Sequence, residues 1–213
     1  ADCVIFGYEA GELKLLLYPR SFEPEKGKWS LIGGFVQNDE STDEAAQRVL
    51  EETTGMKNMF LEQVSDFSTP EREPSERVIS IVYYALIRID RFKKNKPVTT
   101  SVKWFPVKNL PPLIFDHEQM VFQALKKLQQ KAGSTLAGSE LLPSKFTLLQ
   151  LRKLYEAIYQ RSFDPGNFRK KMLSLGVLEK LDQKNLTESK KGAYYYKVKD
   201  NKTDEELERI IKH

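Results

Sequence analysis

The chain has 213 residues, of which 40% are hydrophobic and 30% are charged, and its formal net charge is +4. This composition is ordinary for a soluble globular protein with one large domain or two small ones, and no apolar run approaches the roughly 18 residues that a membrane-spanning helix needs. The single cysteine, Cys3, excludes an internal disulfide framework and fits a reducing compartment. We therefore expect a cytoplasmic protein without a membrane partner, in which Cys3 is buried in a strand.

The charge is spread unevenly along the chain. Residues 1–132 carry 18 Lys and Arg against 19 Asp and Glu, whereas residues 141–199 carry 13 against 5. A basic segment beside a nearly neutral one is typical of a protein in which one half binds a polyanion. A solvated basic face explains the same counts, so the charge alone leaves both interpretations open.

The first half of the chain alternates predicted strands with predicted helices. Runs of β-branched and aromatic residues predict strands at Cys3–Tyr8, Leu13–Tyr18, Trp29–Val36, Arg77–Ile89 and Ser101–Pro106. A helix is predicted at Thr42–Thr54, because Ser41 and Glu44 fit a capping box and Gly55 fits a helix end. A second helix is predicted at Glu118–Gln130, and its predicted inward residues are Val121, Phe122, Leu125 and Leu128. This pattern predicts an α+β fold, an α/β/α sandwich, for residues 1–131.

Residues 34–56 resemble the Nudix box, whose pattern is Gly, five residues, Glu, seven residues, and then Arg-Glu-apolar-x-Glu-Glu-x-Gly-apolar. The matching positions are Gly34, Glu40, Arg48, Leu50, Glu52, Gly55 and Met56. The resemblance implies a Nudix fold. In Nudix hydrolases, carboxylates on one face of this helix bind Mg²⁺ and position a diphosphate for attack by water.

Two positions of this box depart from the hydrolase pattern. Residues 49, 52 and 53 share one helix face, and here they are Val49, Glu52 and Thr53. Mg²⁺ prefers hard anionic oxygens in a near-octahedral array, and one carboxylate out of three is a poor substitute. We therefore expect a protein that is not an enzyme, with no catalytic residue, no metal and no cofactor. The retained pair of Glu40 and Arg48 is expected to fix the loop onto the helix.

A cleft can keep its shape after losing its metal site and still bind a small effector. Aromatic rings stack on sugar faces, and Arg and Asp side chains bond to hydroxyl groups. The predicted effector-binding residues are Arg20, Trp29, Gly34, Phe35, Arg77, Tyr83, Asp116 and His117. Core packing is an equally good explanation for Phe35 and Tyr83, and a helix cap with a hydrogen-bonded histidine is the alternative for Asp116 and His117. Residues 71–77 are a predicted surface loop, long enough to cover the cleft.

The pattern changes in the second half of the chain. Residues 132–142 are mostly small and polar and are predicted to be a linker, which leaves residues 143–213 as a second domain. Its predicted elements are two helices and two strands, at Phe146–Gln160, Asn167–Leu175, Val177–Leu181 and Tyr194–Lys199. Two helices followed by a basic hairpin are typical of a winged helix-turn-helix domain. The predicted DNA-binding residues are Asn167, Arg169, Lys170, Lys171, Lys190 and Lys191. A helical interaction module with a solvated basic face is the alternative.

Residues 142–156 and 167–172 resemble the C-terminal domain of the Nudix-related transcription regulators, the NrtR/AraR-like family, and the resemblance spans almost the whole chain. It implies a homodimer that binds double-stranded operator DNA, most simply as a repressor, and leaves it when an effector binds the Nudix domain. The chain looks closest to the arabinose-responsive AraR-like branch, so L-arabinose is the expected effector. ADP-ribose, with control of NAD metabolism, is the alternative, and an active Nudix diphosphohydrolase is a third hypothesis. A dimer interface at Tyr194, Tyr195 and Tyr196 also stays open.

Overall fold

A computed structural model describes residues 1–57, 59–74, 76–94, 101–188 and 191–199. The chain divides into two compact units between Lys127 and Leu128. This division falls inside a 19-residue helix, α3 (His117–Thr135), so that one helix contributes residues to both units. Within the described ranges, no helix is both long and apolar enough to cross a bilayer.

The first unit is built on a mixed sheet. Its strands are β1 (Asp2–Glu9), β2 (Glu12–Pro19), β3 (Trp29–Ser30), β4 (Ile32–Gly33), β5 (Leu61–Phe67), β6 (Ser80–Arg88) and β7 (Lys103–Pro106). β1 lies in the middle, antiparallel to β2 and parallel to β6, while β5 continues the sheet beyond β6. β3 and β7 both pair with β2, and β4 pairs with β1. Because it has neighbours on both sides, β1 has a fully buried centre, from Cys3 to Phe6.

Helix α1 (Thr42–Thr54) packs one face on this sheet. Ser41 and Glu44 form the predicted capping box, and Gly55 ends the helix with a φ of 70°, in the region that favours glycine. Val49 and Leu50 join Cys3 in the buried core of the unit. Burial of one aliphatic side chain of this kind contributes about 1.5–3 kcal/mol. The predictions of this helix and of a buried Cys3 are confirmed.

The segment from residue 29 to residue 36 is not the single strand that the sequence predicts. It forms two short strands, β3 and β4, separated by Leu31, whose backbone N–H donates to His117 Nδ1 over 3.1 Å. Beyond β4, the N–H of Gly34 donates to the carbonyl of Ala1, and the backbone then leaves the sheet. A loop over residues 34–41 therefore leads into α1.

Two elements of the first unit have no counterpart in the predictions, the strand β5 and the short helix α2 (Ile89–Lys94). The helix α3 also differs from its prediction, because it extends to Thr135 and leaves Phe122 64% exposed. The prediction that Phe122 faces inward is therefore wrong, although Val121 and Leu128 are buried as expected.

The second unit contains β8 (Phe146–Thr147), α4 (Leu148–Tyr159), α5 (Pro165–Ser174), β9 (Leu178–Asn185) and β10 (Ala193–Val198). β8, β10 and β9 form a three-stranded antiparallel sheet in that order. Helix α4 begins two residues later than predicted, because Phe146 and Thr147 pair with β10. Thr147 and Gln150 form its predicted capping box. Two helices followed by a hairpin confirm the predicted winged-helix arrangement.

The segment predicted as a linker contains ordered structure. Helix α3 covers its first residues, and a turn of 3₁₀-helix spans Ser139–Leu141. Four of its side chains are at most 6% exposed: Ala132, Leu136, Leu141 and Leu142. These apolar side chains belong to the second unit and are buried, although the residues between them are mostly small and polar. The domain boundaries at residues 131 and 143 stay predictions.

Candidate functional site

A cleft of about 500 Å³ lies in the first unit, at one end of the sheet. The start of β1, the end of β2 and the loop after it, β3 and β4, the residues before β6, and the turn before α3 all contribute to its wall. The charged lining residues are Asp2, Arg20, Glu23, Arg72, Glu73 and Glu76, and the lining also includes Tyr18, Phe22, Ser30, Gly34, Phe35, Ser80, Phe115 and His117. Clefts of this size, lined by rings and a few polar groups, are typical of small-molecule sites.

Four of the predicted effector residues line this cleft: Arg20, Gly34, Phe35 and His117. Phe35 and Tyr83, for which core packing was the alternative explanation, differ in their exposure. Phe35 is 75% exposed at the cleft and is not a core residue, whereas Tyr83 is 2% exposed in the core and its hydroxyl bonds to Thr42 and Asp43. The role of the four lining residues in effector binding stays a prediction.

The other predicted residues are not among those that line the cleft, and each has partners of its own. The Trp29 ring packs edge-on against Phe105, with ring centroids 4.7 Å apart. Arg77 donates to the carbonyls of Thr69 and Val78. Asp116 is bound to a residue that the sequence did not single out, Arg72.

Arg20 presents a positive charge in the cleft. Its guanidinium carbon lies 4.1 Å from the centroid of the Phe22 ring and 5.2 Å from that of Phe115, and its Nε donates to the Phe22 carbonyl. Rings in these positions hold a cation without neutralising it. In the part of the chain that the structure describes, no salt bridge joins Arg20 to a carboxylate. Phe22 and Phe115 were missed by the sequence analysis, and only the nearness of Phe22 to Arg20 in the chain could have suggested either of them.

His117 is almost fully buried at the back of the cleft. Its Nδ1 accepts the N–H of Leu31 over 3.1 Å and lies 3.5 Å from the hydroxyl of Ser30. Burial lowers the pKa of His117, so the neutral imidazole is favoured. Since Nδ1 is an acceptor, this hydrogen bond assigns the proton to Nε2. The Nε2–H is then the hydrogen-bond donor of the neutral imidazole.

Arg72 and Asp116 form a salt bridge in the cleft wall. Arg72 Nε donates to Asp116 Oδ2 over 2.9 Å, and Nη2 donates to Oδ1 over 2.7 Å. The Arg72 side chain is 4% exposed and that of Asp116 is 14% exposed. This bidentate pair ties the loop before β6 to the residue that precedes α3.

On the Nudix-box helix, the predicted pairing of Glu40 and Arg48 is present. Arg48 Nε and Nη2 donate to the two carboxylate oxygens of Glu40 over 2.9 and 2.6 Å, and Nη2 also donates to the Phe35 carbonyl. The hydrogen bonds from Arg48 lower the pKa of Glu40 to about 2. The pair fixes the loop over residues 34–41 to α1, and its two charges neutralise each other.

The face of α1 where Nudix hydrolases hold their metal does not fit Mg²⁺. Val49 is 4% exposed, and the Thr53 hydroxyl donates to the Val49 carbonyl. Glu52 points outward, with 62% of its side chain exposed, and its nearest charge is Arg48 at 3.4 Å. Among the described residues, no three His, Cys, Asp or Glu side chains form a group that could hold a metal ion. One exposed carboxylate does not supply the oxygen ligands that Mg²⁺ requires.

In the second unit, α5 carries a row of exposed cations over a buried base. Asp164 caps the helix by accepting the N–H of Asn167, and Phe168, Met172 and Leu175 are at most 8% exposed. The predicted DNA-binding residues of this helix are all exposed: Asn167, Arg169, Lys170 and Lys171. Lys191 is exposed as well, and Lys190 lies outside the described residues.

The turn between α4 and α5 is fixed by one carboxylate. Glu156 Oε1 accepts from Arg152 Nη1 over 2.7 Å and from the N–H of Phe163 over 2.9 Å. The Phe163 ring in turn packs against Tyr159 and Phe168. These contacts set the direction in which α5 leaves the turn.

The hairpin of β9 and β10 has a cationic face of its own. The ammonium groups of Lys180 and Lys184 lie 3.6 and 4.6 Å from the centroid of the Tyr194 ring. This cluster was missed because Lys180 and Lys184 precede Tyr194 by fourteen and ten positions and meet it only across the strand pair. Tyr196 is 4% exposed and belongs to the core of this unit, so the three tyrosines do not form one interface.

Comparison with known proteins matches both units to families. Residues 1–125 match the NUDIX domain family, and residues 138–198 match the NrtR DNA-binding winged helix domain. A protein of Acinetobacter baylyi, named ADPR responsive transcriptional repressor NtrR, is 31% identical over 216 residues, which cover 100% of this chain and 86% of that protein.

Two solved structures from Shewanella oneidensis are similar. NrtR complexed with a 27mer DNA has a TM-score of 0.81 and 29% identity, over 93% of this chain and 92% of that one. The NUDIX domain of NrtR complexed with ADP ribose has a TM-score of 0.51 and 32% identity, over 60% of this chain and 85% of that one.

Proposed function

The chain belongs to the NrtR family of Nudix-related transcription regulators, and from that premise we propose that it is a transcriptional repressor whose affinity for operator DNA falls when ADP-ribose binds the cleft of its first unit. The observation that carries the choice of effector is Arg20. A guanidinium held by two rings, without a carboxylate partner in the described chain, suits a ligand that brings its own negative charge. The diphosphate of ADP-ribose has that charge.

The expectation of L-arabinose finds no support in these relatives, whereas the alternative of ADP-ribose does. The names of the A. baylyi repressor and of the S. oneidensis complex both refer to ADP-ribose. The arabinose expectation rested on overall similarity alone. An uncharged pentose would also leave Arg20 unpaired and fill only part of a cleft of about 500 Å³.

We further propose that the chain does not hydrolyse the effector that it binds. The support is the metal face of α1, where Val49 is buried, the Thr53 hydroxyl bonds within its own helix, and Glu52 is the one carboxylate. With Mg²⁺ present, ADP-ribose is expected to stay intact. Turnover at ordinary enzyme rates, on the order of 1 s⁻¹ or above, would contradict this.

For DNA, the support is the exposed cationic row on α5 together with the match to a DNA-binding winged helix. We propose that Asn167, Arg169 and Lys170 face the major groove and that the hairpin approaches the phosphates. We also propose a cytoplasmic homodimer, because two-fold operators are read by paired winged helices.

The test compares two ligands on one protein. A duplex is first selected by the protein from a random pool, and its binding is followed by fluorescence anisotropy. ADP-ribose is expected to weaken binding about 5–150-fold, the usual range for two coupled sites. It should also raise the melting temperature, since a ligand at 100 times its Kd stabilises the native state by about 2.7 kcal/mol. L-arabinose is expected to do neither, and the reverse pattern would overturn the choice of effector.

A further inference from the structure

One cation of the second unit has no part in the function proposed so far. Arg161 lies in the turn between α4 and α5, is exposed, and rests on two aromatic rings: its guanidinium carbon is 5.8 Å from the centroid of Tyr159 and 5.0 Å from that of Phe163. We propose that Arg161 binds a phosphate of the DNA backbone next to α5 and that the Phe163 ring positions it for this contact. This inference rests on the proposed function, because the partner is the same operator DNA.

The charge of Arg161 is not neutralised within the second unit. No salt bridge among the described residues includes Arg161. The two carboxylates closest to it in the chain have other partners, because Glu156 accepts from Arg152 and Asp164 accepts the N–H of Asn167. Aromatic rings attract a guanidinium through their negative faces but carry no net charge. Arg161 therefore keeps a full positive charge for an anionic partner.

The turn that carries Arg161 is fixed on both sides of this residue. The Arg161 N–H donates to the Glu156 carbonyl near the end of α4, and Gln160 ends that helix with a φ of 55°. Beyond Arg161, the N–H of Phe163 donates to the Glu156 carboxylate over 2.9 Å. A side chain on a backbone that is already ordered loses less conformational entropy when it binds. The backbone of Arg161 is therefore in place before a partner binds.

The Phe163 ring also connects this cation to α5. It packs against the ring of Phe168, with centroids 5.8 Å apart, and Phe168 is one of the buried residues beneath the exposed cations of α5. In helix-turn-helix proteins, the N-terminal residues of the second helix contact base edges while the first helix crosses the backbone. A cation at the junction of α4 and α5 is therefore close to both the groove and the phosphates that border it.

The chemistry of the Arg161 side chain favours a phosphate over a base edge. Its guanidinium makes no side-chain hydrogen bond among the described residues, so its donors are available. The planar fork of donors matches two oxygens of one phosphate and is more weakly hydrated than an ammonium group. Phosphate contacts carry no sequence information. We therefore expect Arg161 to add affinity for any duplex without a preference for one sequence.

The test measures DNA binding by variants of the full-length chain, by fluorescence anisotropy at several salt concentrations. Each variant is titrated with the operator selected from a random pool and with a duplex of the same length and shuffled sequence. Arg161→Gln removes the charge, Arg161→Lys keeps it, and Phe163→Leu replaces the ring by an aliphatic side chain. Lys103→Gln is the matched control, because Lys103 is exposed and lies 5.7 Å from the Trp29 ring but belongs to the first unit.

Arg161→Gln is expected to raise the Kd for both duplexes by the same factor, about tenfold, which corresponds to one lost hydrogen bond to a charged group. The slope of log K against log salt should become less steep by about 0.9, the value for one phosphate, whereas Arg161→Lys should keep the wild-type slope. Phe163→Leu should weaken binding by the wild type and have no further effect in Arg161→Gln, because the ring acts through Arg161. Lys103→Gln should match the wild type with both duplexes.

Wild-type affinity and salt slope in Arg161→Gln would overturn this inference and leave the proposed function standing, whereas a wild type that binds neither duplex would overturn the proposed function. A loss confined to the selected operator would make Arg161 a base-reading residue and contradict the phosphate contact. An equal loss from Phe163→Leu with and without Arg161 would contradict the positioning role of the ring. If Phe163→Leu does not fold, the NMR shifts of the Arg161 side-chain protons in the wild type decide: ring-current shifts are expected, and random-coil values would contradict that role.

Discussion

Arg48 on α1 is paired with a carboxylate of the protein, whereas the cations of α5 are exposed to solvent. On α1, Arg48 is engaged by Glu40 and by the Phe35 carbonyl, and Glu52 lies beside the same guanidinium. On α5, the exposed side chains of Arg169, Lys170 and Lys171 take part in no salt bridge among the described residues. Charges paired inside a domain stabilise it, whereas charges left in solvent are available to a partner. Substitutions at paired charges should therefore affect the stability of the fold, and substitutions at the exposed cations should affect binding.

The largest expected effect is on stability, at the buried pair. Asp116→Asn leaves the Arg72 guanidinium in place without its carboxylate, and breaking such a pair costs about 3–5 kcal/mol. Asp90→Asn removes a carboxylate that pairs with Arg88 and is 55% exposed, and it should cost less than about 1 kcal/mol. Urea unfolding of both variants measures the difference. Equal losses would mean that burial does not distinguish the two pairs.

The second largest expected effect is a loss of DNA affinity, with the free energy of unfolding unchanged. Replacing Arg169, Lys170 and Lys171 together by Gln is expected to weaken DNA binding at least about 100-fold, because each good base or phosphate interaction contributes about 1–3 kcal/mol. The slope of log K against log salt should also become less steep by about 0.9 for each phosphate that the variant no longer neutralises. A matched triple change at exposed lysines of the first unit, Lys26, Lys28 and Lys57, should leave both quantities as in the wild type. Retained binding by the α5 variant would remove this helix from the DNA interface.

In both helices, the features that the sequence predicts follow from local signals. The bounds of α1 follow from local signals, the capping box at Ser41 and the glycine at position 55, and the structure reproduces both. The exposed row on α5 follows from the spacing of Phe168 and Met172, which turns the cations outward. Both predictions depend on residues within one helix, where periodicity fixes direction.

The features that the sequence did not predict depend on distant partners. Arg72 and Asp116 are 44 residues apart, and no local pattern joins them. β5 reads Leu-Glu-Gln-Val-Ser-Asp-Phe and was missed because it lies at the edge of the sheet and keeps polar side chains in solvent. The edge-on contact of Trp29 with Phe105 also depends on the fold, and the role of Trp29 in effector binding stays a prediction. In each case a tertiary contact decides the environment of the residue.

Arg20 is a cation of the cleft lining with no carboxylate partner in the described chain, and it should therefore behave like the residues of α5. Arg20→Gln is expected to weaken ADP-ribose binding about 10–100-fold, the loss of one charge-assisted hydrogen bond of about 1.5–3 kcal/mol. DNA binding without effector should be unchanged. Calorimetry with ADP-ribose and anisotropy with DNA measure the two. Unchanged ADP-ribose affinity would show that the diphosphate lies elsewhere.

The smallest expected effect concerns His117. Like Arg48, it forms hydrogen bonds within the first unit, but it is uncharged. Burial lowers its pKa below the ordinary value of 6.5, so the unfolded chain takes up a proton at this position before the folded protein does. Above pH 6.5 both states are neutral and pH has no effect through this group. Below pH 6.5, protonation of His117 in the unfolded chain lowers the free energy of unfolding. The loss is up to about 1.4 kcal/mol for each pH unit until the folded pKa is reached.

His117→Asn isolates this contribution, because its amide oxygen can accept the Leu31 N–H and does not titrate. Urea unfolding of both proteins at pH 7.5 and pH 5.5 gives two pH dependences, and their difference cancels every other titrating group. The wild type is expected to lose more of its free energy of unfolding than the variant between these values, because only its unfolded state takes up the extra proton. Parallel pH dependences would mean that the folded protein protonates His117 as readily as the unfolded chain, and the assignment of a neutral imidazole to His117 would then be wrong.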